Sequence, residues 1–116
     1  MEKSLSDGVA TSRQEYPNVL ALAGEIDLHV IPIVTASLNE MTATKPKQLV
    51  VDLSGVPYID SAGVAAIIVA MEMVEAYGGK FALAGLHETV RLILETSRLD
   101  RIFSIFPNVS TALAAA

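Results

Sequence analysis

Five residues near the middle of the chain, Leu49-Val50-Val51-Asp52-Leu53, form a short apolar run rich in β-branched side chains. Without polar alternation, such a run fits a strand buried on both faces, and strands of that kind are usually parallel. Parallel neighbours need a crossover between them, and one is legible immediately downstream. A loop from Ser54 to Asp60 carries Gly55 and Pro57, and Ser61 to Tyr77 then reads as a long helix. It is apolar almost all round, which predicts deep packing. Gly78-Gly79 stops it, and Phe81-Ala82-Leu83-Ala84 is a second buried strand.

The flanking segments extend the pattern. Val9 to Gln14 is a weak strand, Tyr16-Pro17-Asn18 a turn preset by proline, and Val19 to Ala23 a better strand. Together they predict an antiparallel hairpin. Ile31, Val34, Leu38 and Met41 recur at helical spacing, and Pro32 suits a first helical turn. Val90, Ile93 and Leu94 mark a third helix, and Ile102-Phe103 reads as a short edge strand. Asn108 is placed to cap a last helix carrying Val109, Ala112 and Leu113. The order β-β-α-β-α-β-α-(β)-α predicts an α/β fold: one small mixed sheet with a parallel core and about four helices. The expected boundaries are a flexible N-terminus over residues 1–8 and a single domain over 9–116. Right-handed crossovers place Ser54 to Gly63 and Gly85 to Glu88 at the carboxyl edge of the sheet, where open α/β sheets bind ligands and partners.

Composition removes several function classes. The chain has 116 residues, 52% hydrophobic and 18% charged, which fits one ordered domain rather than a disordered segment. With no cysteine it has no thiol nucleophile and no thiolate metal site. Two histidines, His29 and His87, leave little for an imidazole site, and neither metal nor cofactor is expected. Eight Lys+Arg against thirteen Asp+Glu, a net charge of -5, cannot build a basic nucleic-acid face. The longest apolar run, Val64 to Met71, is well short of the ~20 residues of a membrane span. Met1-Glu2-Lys3-Ser4 opens no signal peptide, so the expected location is the cytoplasm.

The segment able to carry chemistry is Asp52-Leu53-Ser54-Gly55-Val56-Pro57-Tyr58-Ile59-Asp60-Ser61-Ala62-Gly63. Ser61 falls at or just before the first turn of the long helix, where free N–H groups and the dipole favour an anion. A phosphate there would gain hydrogen bonds while adding about -1.5 to -2 charges beside Asp60. Either Asp60 or Ser61 can be the N-cap, and capping and modification are compatible.

These residues resemble the signature of anti-sigma factor antagonists with the STAS fold. Asp60-Ser61-Ala62-Gly63 follows Leu49-Val50-Val51-Asp52-Leu53-Ser54-Gly55-Val56, with Gly24-Glu25-Ile26-Asp27 before the first helix. Val90-Arg91 and Leu99-Asp100-Arg101-Ile102-Phe103 match the C-terminal pattern. The resemblance implies that Ser61 is phosphorylated by an anti-sigma factor that is also an ATP-dependent serine kinase. The unphosphorylated form would bind that kinase and free the sigma factor, and a metal-dependent serine phosphatase would reset it. The expected partner surface comprises the Asp27–Val30 lead-in, the Tyr58–Gly63 loop and the first turns of the long helix. Asp27, Tyr58, Asp60, Ala62 and Gly63 are its named contacts. Two positions depart from the family. Arg98 stands where glycine is frequent, so it must turn left-handed or the helix must end another way. Val30 stands where Thr or Ser is frequent, which loses a cap.

Other readings fit the residues less well. Asp27, Asp52 and Asp60 could suggest a receiver-type magnesium site, but Lys3, Lys45, Lys47 and Lys80 are placed elsewhere than that site needs. Hydrogen bonding within strand-end loops accounts for Asp27 and Asp52 better. No Gly-x-Ser-x-Gly elbow is present for a hydrolase. The alternative within the same fold is a constitutive partner, such as a stressosome scaffold or a regulatory subunit of a lipid ABC transporter. An enzyme is not expected.

Overall fold

The computed structural model describes residues 10–13 and 18–115. Among these, β1 (Ala10–Arg13) and β2 (Val19–Ala23) are followed by a 3-10 turn at Leu28–Val30 and by α1 (Ile31–Ala43). Then come β3 (Gln48–Gly55), α2 (Ser61–Ala76), β4 (Lys80–Ala84) and α3 (Glu88–Thr96). A second 3-10 turn at Leu99–Arg101, β5 (Ser104–Phe106) and α4 (Val109–Ala114) complete the order. The expected segment at residues 1–8, and the turn at Tyr16-Pro17, lie outside the described residues.

The strands form one sheet in the order β1-β2-β3-β4-β5. β1 pairs antiparallel with β2, through Ala10↔Ala23 and Arg13↔Leu20, which is the predicted hairpin pairing. The other three pairings are parallel. Each crossover steps to the next strand in the same direction, so a common hand puts α1, α2 and α3 on one face. There Leu20, Leu22, Leu49, Val51, Leu53, Phe81 and Leu83 meet Val34, Leu38, Ile67, Val74, Val90 and Leu94. Among the described elements the opposite face carries α4, over Val19, Val50, Ala82 and Ala84. Asn108 caps α4 by accepting from the Thr111 N–H at 2.8 Å. The Gln48 side chain donates to the Ala112 carbonyl at 2.9 Å, which ties α4 to β3. A void of about 10 Å³ among Leu53, Ile59, Ile67, Leu83 and Phe103 is at most one water in size.

Both family departures are visible in the backbone. Arg98 is left-handed, at φ 62°, and its N–H reaches the Glu95 carbonyl at 3.0 Å to close α3. Val30 precedes α1 without a side-chain cap. Gly78, at φ 88°, ends α2 in a Schellman motif: its N–H binds the Glu75 carbonyl and that of Gly79 binds Val74.

The structure corrects three expectations. Ser54 and Gly55 belong to β3 rather than to the loop, because Gly55 pairs with Ala23 across a register shift. Ile102-Phe103 is not the edge strand. The 3-10 turn places Phe103 against Phe81 at 6.3 Å between ring centroids, and β5 begins one residue later. Finally, α2 is not buried all round. Gly63, Val64, Ile67, Ala70, Met71 and Val74 face the sheet, while Ala65, Val69 and Met73 are exposed. One sheet can bury only one stripe of a helix, whatever the composition of the others.

Candidate functional site

The site is built where β2 and β3 leave the sheet side by side. Their outgoing loops stay paired beyond the strand ends. The Gly24 N–H donates to the Gly55 carbonyl at 2.8 Å and that of Ile26 to Tyr58 at 2.9 Å. The Asp60 N–H then donates to the Ile26 carbonyl at 3.0 Å. Ile26 and Ile59 form a bridge here, and both are buried beneath the first turn of α2. The edge is therefore a braced surface, and α2 starts from its middle.

Asp60 is the N-cap of α2, in an extended conformation, and settles the choice the sequence leaves open. Its Oδ1 accepts from the Gly63 N–H at 3.0 Å. Its Oδ2 accepts from the Leu28 N–H, also at 3.0 Å, across 32 residues of sequence. Ser61 is then the first residue of the helix and is exposed. Its hydroxyl is engaged by no other described residue. Beside it lie the first N–H groups of α2, which have no intrahelical acceptor, and the positive end of the helix dipole.

The other predicted residues take distinct places. Tyr58 is 42% exposed and lines, with Asp60, Ser61, Ile68, Ile93 and Leu99, an open groove between α2 and α3. Ala62 is half-buried and faces a second groove, toward α1, shared with Ile31, Leu38 and Val69. Asp27 is half-buried and its Oδ1 accepts from the His29 N–H at 3.0 Å, capping the 3-10 turn. Gly63, the last of the named contacts, is buried. A Cβ there would stand 2.7 Å from both Ile26 Cγ2 and Ile59 Cγ1, so its part is close packing of α2 onto the braced loops.

The remaining polar groups hold the edge together. Asp52 Oδ1 accepts from the Ser54 N–H at 3.0 Å, the strand-end role the sequence favours. His87, at the N-cap position of α3, lies with Nε2 2.7 Å from the Ser54 carbonyl, which joins the third loop to the second. Asp27, Asp52 and Asp60 thus each serve a backbone N–H. Among the described residues no three His, Cys, Asp or Glu side chains gather as a metal would require. No helix among them is long and apolar enough to cross a membrane.

Sequence reasoning missed two features here. The link from Asp60 to Leu28 joins distant segments and leaves no local signal. Besides Glu72 and Glu75, the exposed side of α2 carries Ala65, Val69 and Met73, residue types that its buried face also uses.

The family model described as STAS domain matches residues 10–112. The anti-sigma-F factor antagonist RsfB of Mycobacterium tuberculosis (strain H37Rv) is 30% identical over 95 residues, covering 82% of this chain and 77% of that one. The crystal structure of an anti-sigma factor antagonist from Mycobacterium paratuberculosis aligns with TM-score 0.85 at 26% identity, over 97% of each chain. The Bacillus cell fate determinant SpoIIAA in its phosphorylated form aligns with TM-score 0.67 at 17% identity, over 92% of this chain and 97% of that one. That last likeness is one of fold.

Proposed function

The chain belongs to the STAS-domain family of anti-sigma factor antagonists, and from that premise we propose that it is a phosphorylation-switched binding module. The unphosphorylated form binds an anti-sigma factor that is also a serine kinase, in the cytoplasm, and so frees the sigma factor. Phosphorylation of Ser61 abolishes binding, and a serine phosphatase restores it. The chain contributes a hydroxyl and a surface; the kinase supplies the nucleotide and the metal.

The observation that carries this reading is the division of labour at the start of α2. Asp60 spends both carboxylate oxygens on backbone N–H groups, while Ser61 stands exposed beside it. A phosphate on Ser61 can be accommodated at the helix N-terminus without unfolding the domain. A partner closing over the same spot would have to desolvate about -1.5 to -2 charges, which is costly unless a matching cation waits there.

The test is to incubate the protein with each anti-sigma factor kinase of the same cell and ATP, and to map phosphate by mass spectrometry. Titration of Ser61→Ala and Ser61→Asp against the kinase with ADP follows, with circular dichroism as the folding control. The expected result is phosphate on Ser61 alone, tight binding by the alanine variant, and binding weaker by about tenfold or more for the aspartate variant, a loss of about 1.4 kcal/mol. Equal affinities for the two folded variants overturn the switch and leave a constitutive partner.

A further inference from the structure

We propose that Leu28 is the principal apolar contact of the partner surface, and that Asp60 is the positioning residue that holds it beside Ser61. This rests on the reading of the Ser61 edge as the partner face, and it goes further by naming the anchor and the group that sets its place.

Leu28 lies between two fully buried residues, Ile26 and Val30, yet is itself 72% exposed, more than Val69, Leu92, Ile102, Tyr58 or Met73. A single exposed leucine is ordinary on a protein surface. What distinguishes this one is its backbone. The Leu28 N–H is held by Asp60 Oδ2 at 3.0 Å, the His29 N–H by Asp27 Oδ1 at 3.0 Å, and the Val30 N–H by the Asp27 carbonyl at 3.1 Å. Three successive N–H groups are fixed, two of them by carboxylates. An apolar side chain carried on so constrained a turn has lost most of its backbone freedom before any partner arrives, which lowers the ordering cost of binding.

The choice of aspartate at position 60 makes the same point from the other side. An N-cap needs one acceptor oxygen, and Ser, Asn or Thr would serve Gly63 about as well. Accepting from Gly63 and Leu28 at once takes two oxygens. Asparagine has one, and its amide donor would face the Leu28 N–H. The second oxygen therefore serves the loop and not the helix. It places an exposed leucine against the residue preceding Ser61, so a partner that covers Ser61 meets Leu28 as part of one rigid unit. The partner chemistry that fits is an apolar pocket large enough for a leucine side chain, next to the site that receives Ser61.

The experiment uses the full chain. In Asp60→Asn the Leu28 amide should exchange with solvent at least tenfold faster while the Gly63 amide stays protected, as read by NMR hydrogen exchange. In titration against the anti-sigma factor kinase with ADP, Leu28→Ala should bind about tenfold or more weakly with an unchanged melting temperature, and Leu28→Met should restore most of the affinity. Asp60→Asn should bind weakly although still capped. Wild-type affinity for Leu28→Ala overturns the proposal, and so does wild-type affinity for an Asp60→Asn whose Leu28 amide has been released. If Ser61→Ala and Ser61→Asp bind alike while Leu28→Ala binds weakly, the switch fails and this inference stands. If the serine variants differ and Leu28→Ala binds normally, this inference fails alone. No complex with the unmodified chain overturns both.

Discussion

Replacing Gly63 by alanine adds one methyl group at the tightest contact of the site. The new Cβ would lie 2.7 Å from Ile26 Cγ2, 2.7 Å from Ile59 Cγ1 and 3.1 Å from Ile59 Cδ1. Carbon atoms pack best at about 3.5–4.0 Å, so two contacts are short by roughly 0.8 Å or more. Neither isoleucine can give way. Both are β-branched and stiff, both are buried, and their backbones are joined by the bridge between the two loops. The first turn of α2 must lift instead, which stretches the Gly63 bond to Asp60. Alanine gains about 1 kcal/mol over glycine in a helix interior, overpacking costs about 1–3 kcal/mol, and a weakened cap costs about 1 kcal/mol. The net expectation is a loss of about 1–3 kcal/mol. In thermal unfolding that is a fall of about 4–8 °C for each kcal/mol, and in urea a lower midpoint with an unchanged slope. In an Ile59→Ala background the same substitution should cost less, because the two changes share the Ile59 contact while that with Ile26 remains. Gly78→Ala is the control: its Cβ meets nothing within 4 Å, so its cost comes from φ 88° alone and is indifferent to Ile59. A Gly63→Ala protein as stable as the wild type, or an undiminished penalty beside Ile59→Ala, would refute the packing argument.

Two further outcomes follow from the backbone and from one phenol. Arg98→Gly should stabilise the domain by about 0.5–1 kcal/mol, since the left-handed φ of 62° suits glycine; unchanged or reduced stability in urea would show that the position carries no strain. Tyr77 donates its hydroxyl to the Pro46 carbonyl at 2.7 Å, and burial raises its pKa above the usual value of 10.0. Because the folded pKa exceeds the unfolded one, its contribution is complete below about pH 10 and is lost as pH rises through the folded value. Tyr77→Phe should therefore be about 1 kcal/mol less stable at pH 7 and show a shallower loss as pH rises above about 10 in urea titrations; parallel curves for the two proteins would refute the assignment.

What could be read from the sequence was what local chemistry decides. The β-branched run at Leu49–Leu53 is a central strand, and Asn108 caps α4 as its position predicts. Pro32 falls in the first turn of α1. Where tertiary partners decide, local reading gave out. Ile102-Phe103 has the composition of a strand, but the left-handed Arg98 and the turn after it bring Phe103 to Phe81 and leave Ile102 exposed. β5 forms one residue later, from Ser104, because Ala82–Ala84 of β4 needs a partner there. Beyond Glu72 and Glu75, hydropathy could not separate the exposed side of α2 from its buried side, since Ala65, Val69 and Met73 are as apolar as the residues beneath. Asp60 was legible as a capping residue within four residues of sequence, but its second bond spans 32 and depends on two loops leaving adjacent strands.

The position of Ser61 in the fold follows from strand order, and on the proposed switch strand order gives a single hydroxyl there its leverage. β3 is the middle strand of five, so the helix that follows it is the middle of the three on its face. α2 accordingly has a groove on either side, one toward α1 and one toward α3. The first residue of α2 stands at the centre of the carboxyl edge, between the Asp27–Val30 turn and the loop bearing His87. A residue at the start of α1 or α3 would have such a neighbour on one side only. Binding energy concentrates near the centre of an interface, where groups are fully desolvated, and fades toward its rim. A charge change of about -1.5 to -2 placed at that centre must be desolvated by any partner spanning the edge, whereas the same change at the rim would stay hydrated and be screened. On the proposed switch, the parallel order puts the phosphoacceptor where a local chemical change acts on the whole proposed partner surface, without any rearrangement of the sheet beneath it.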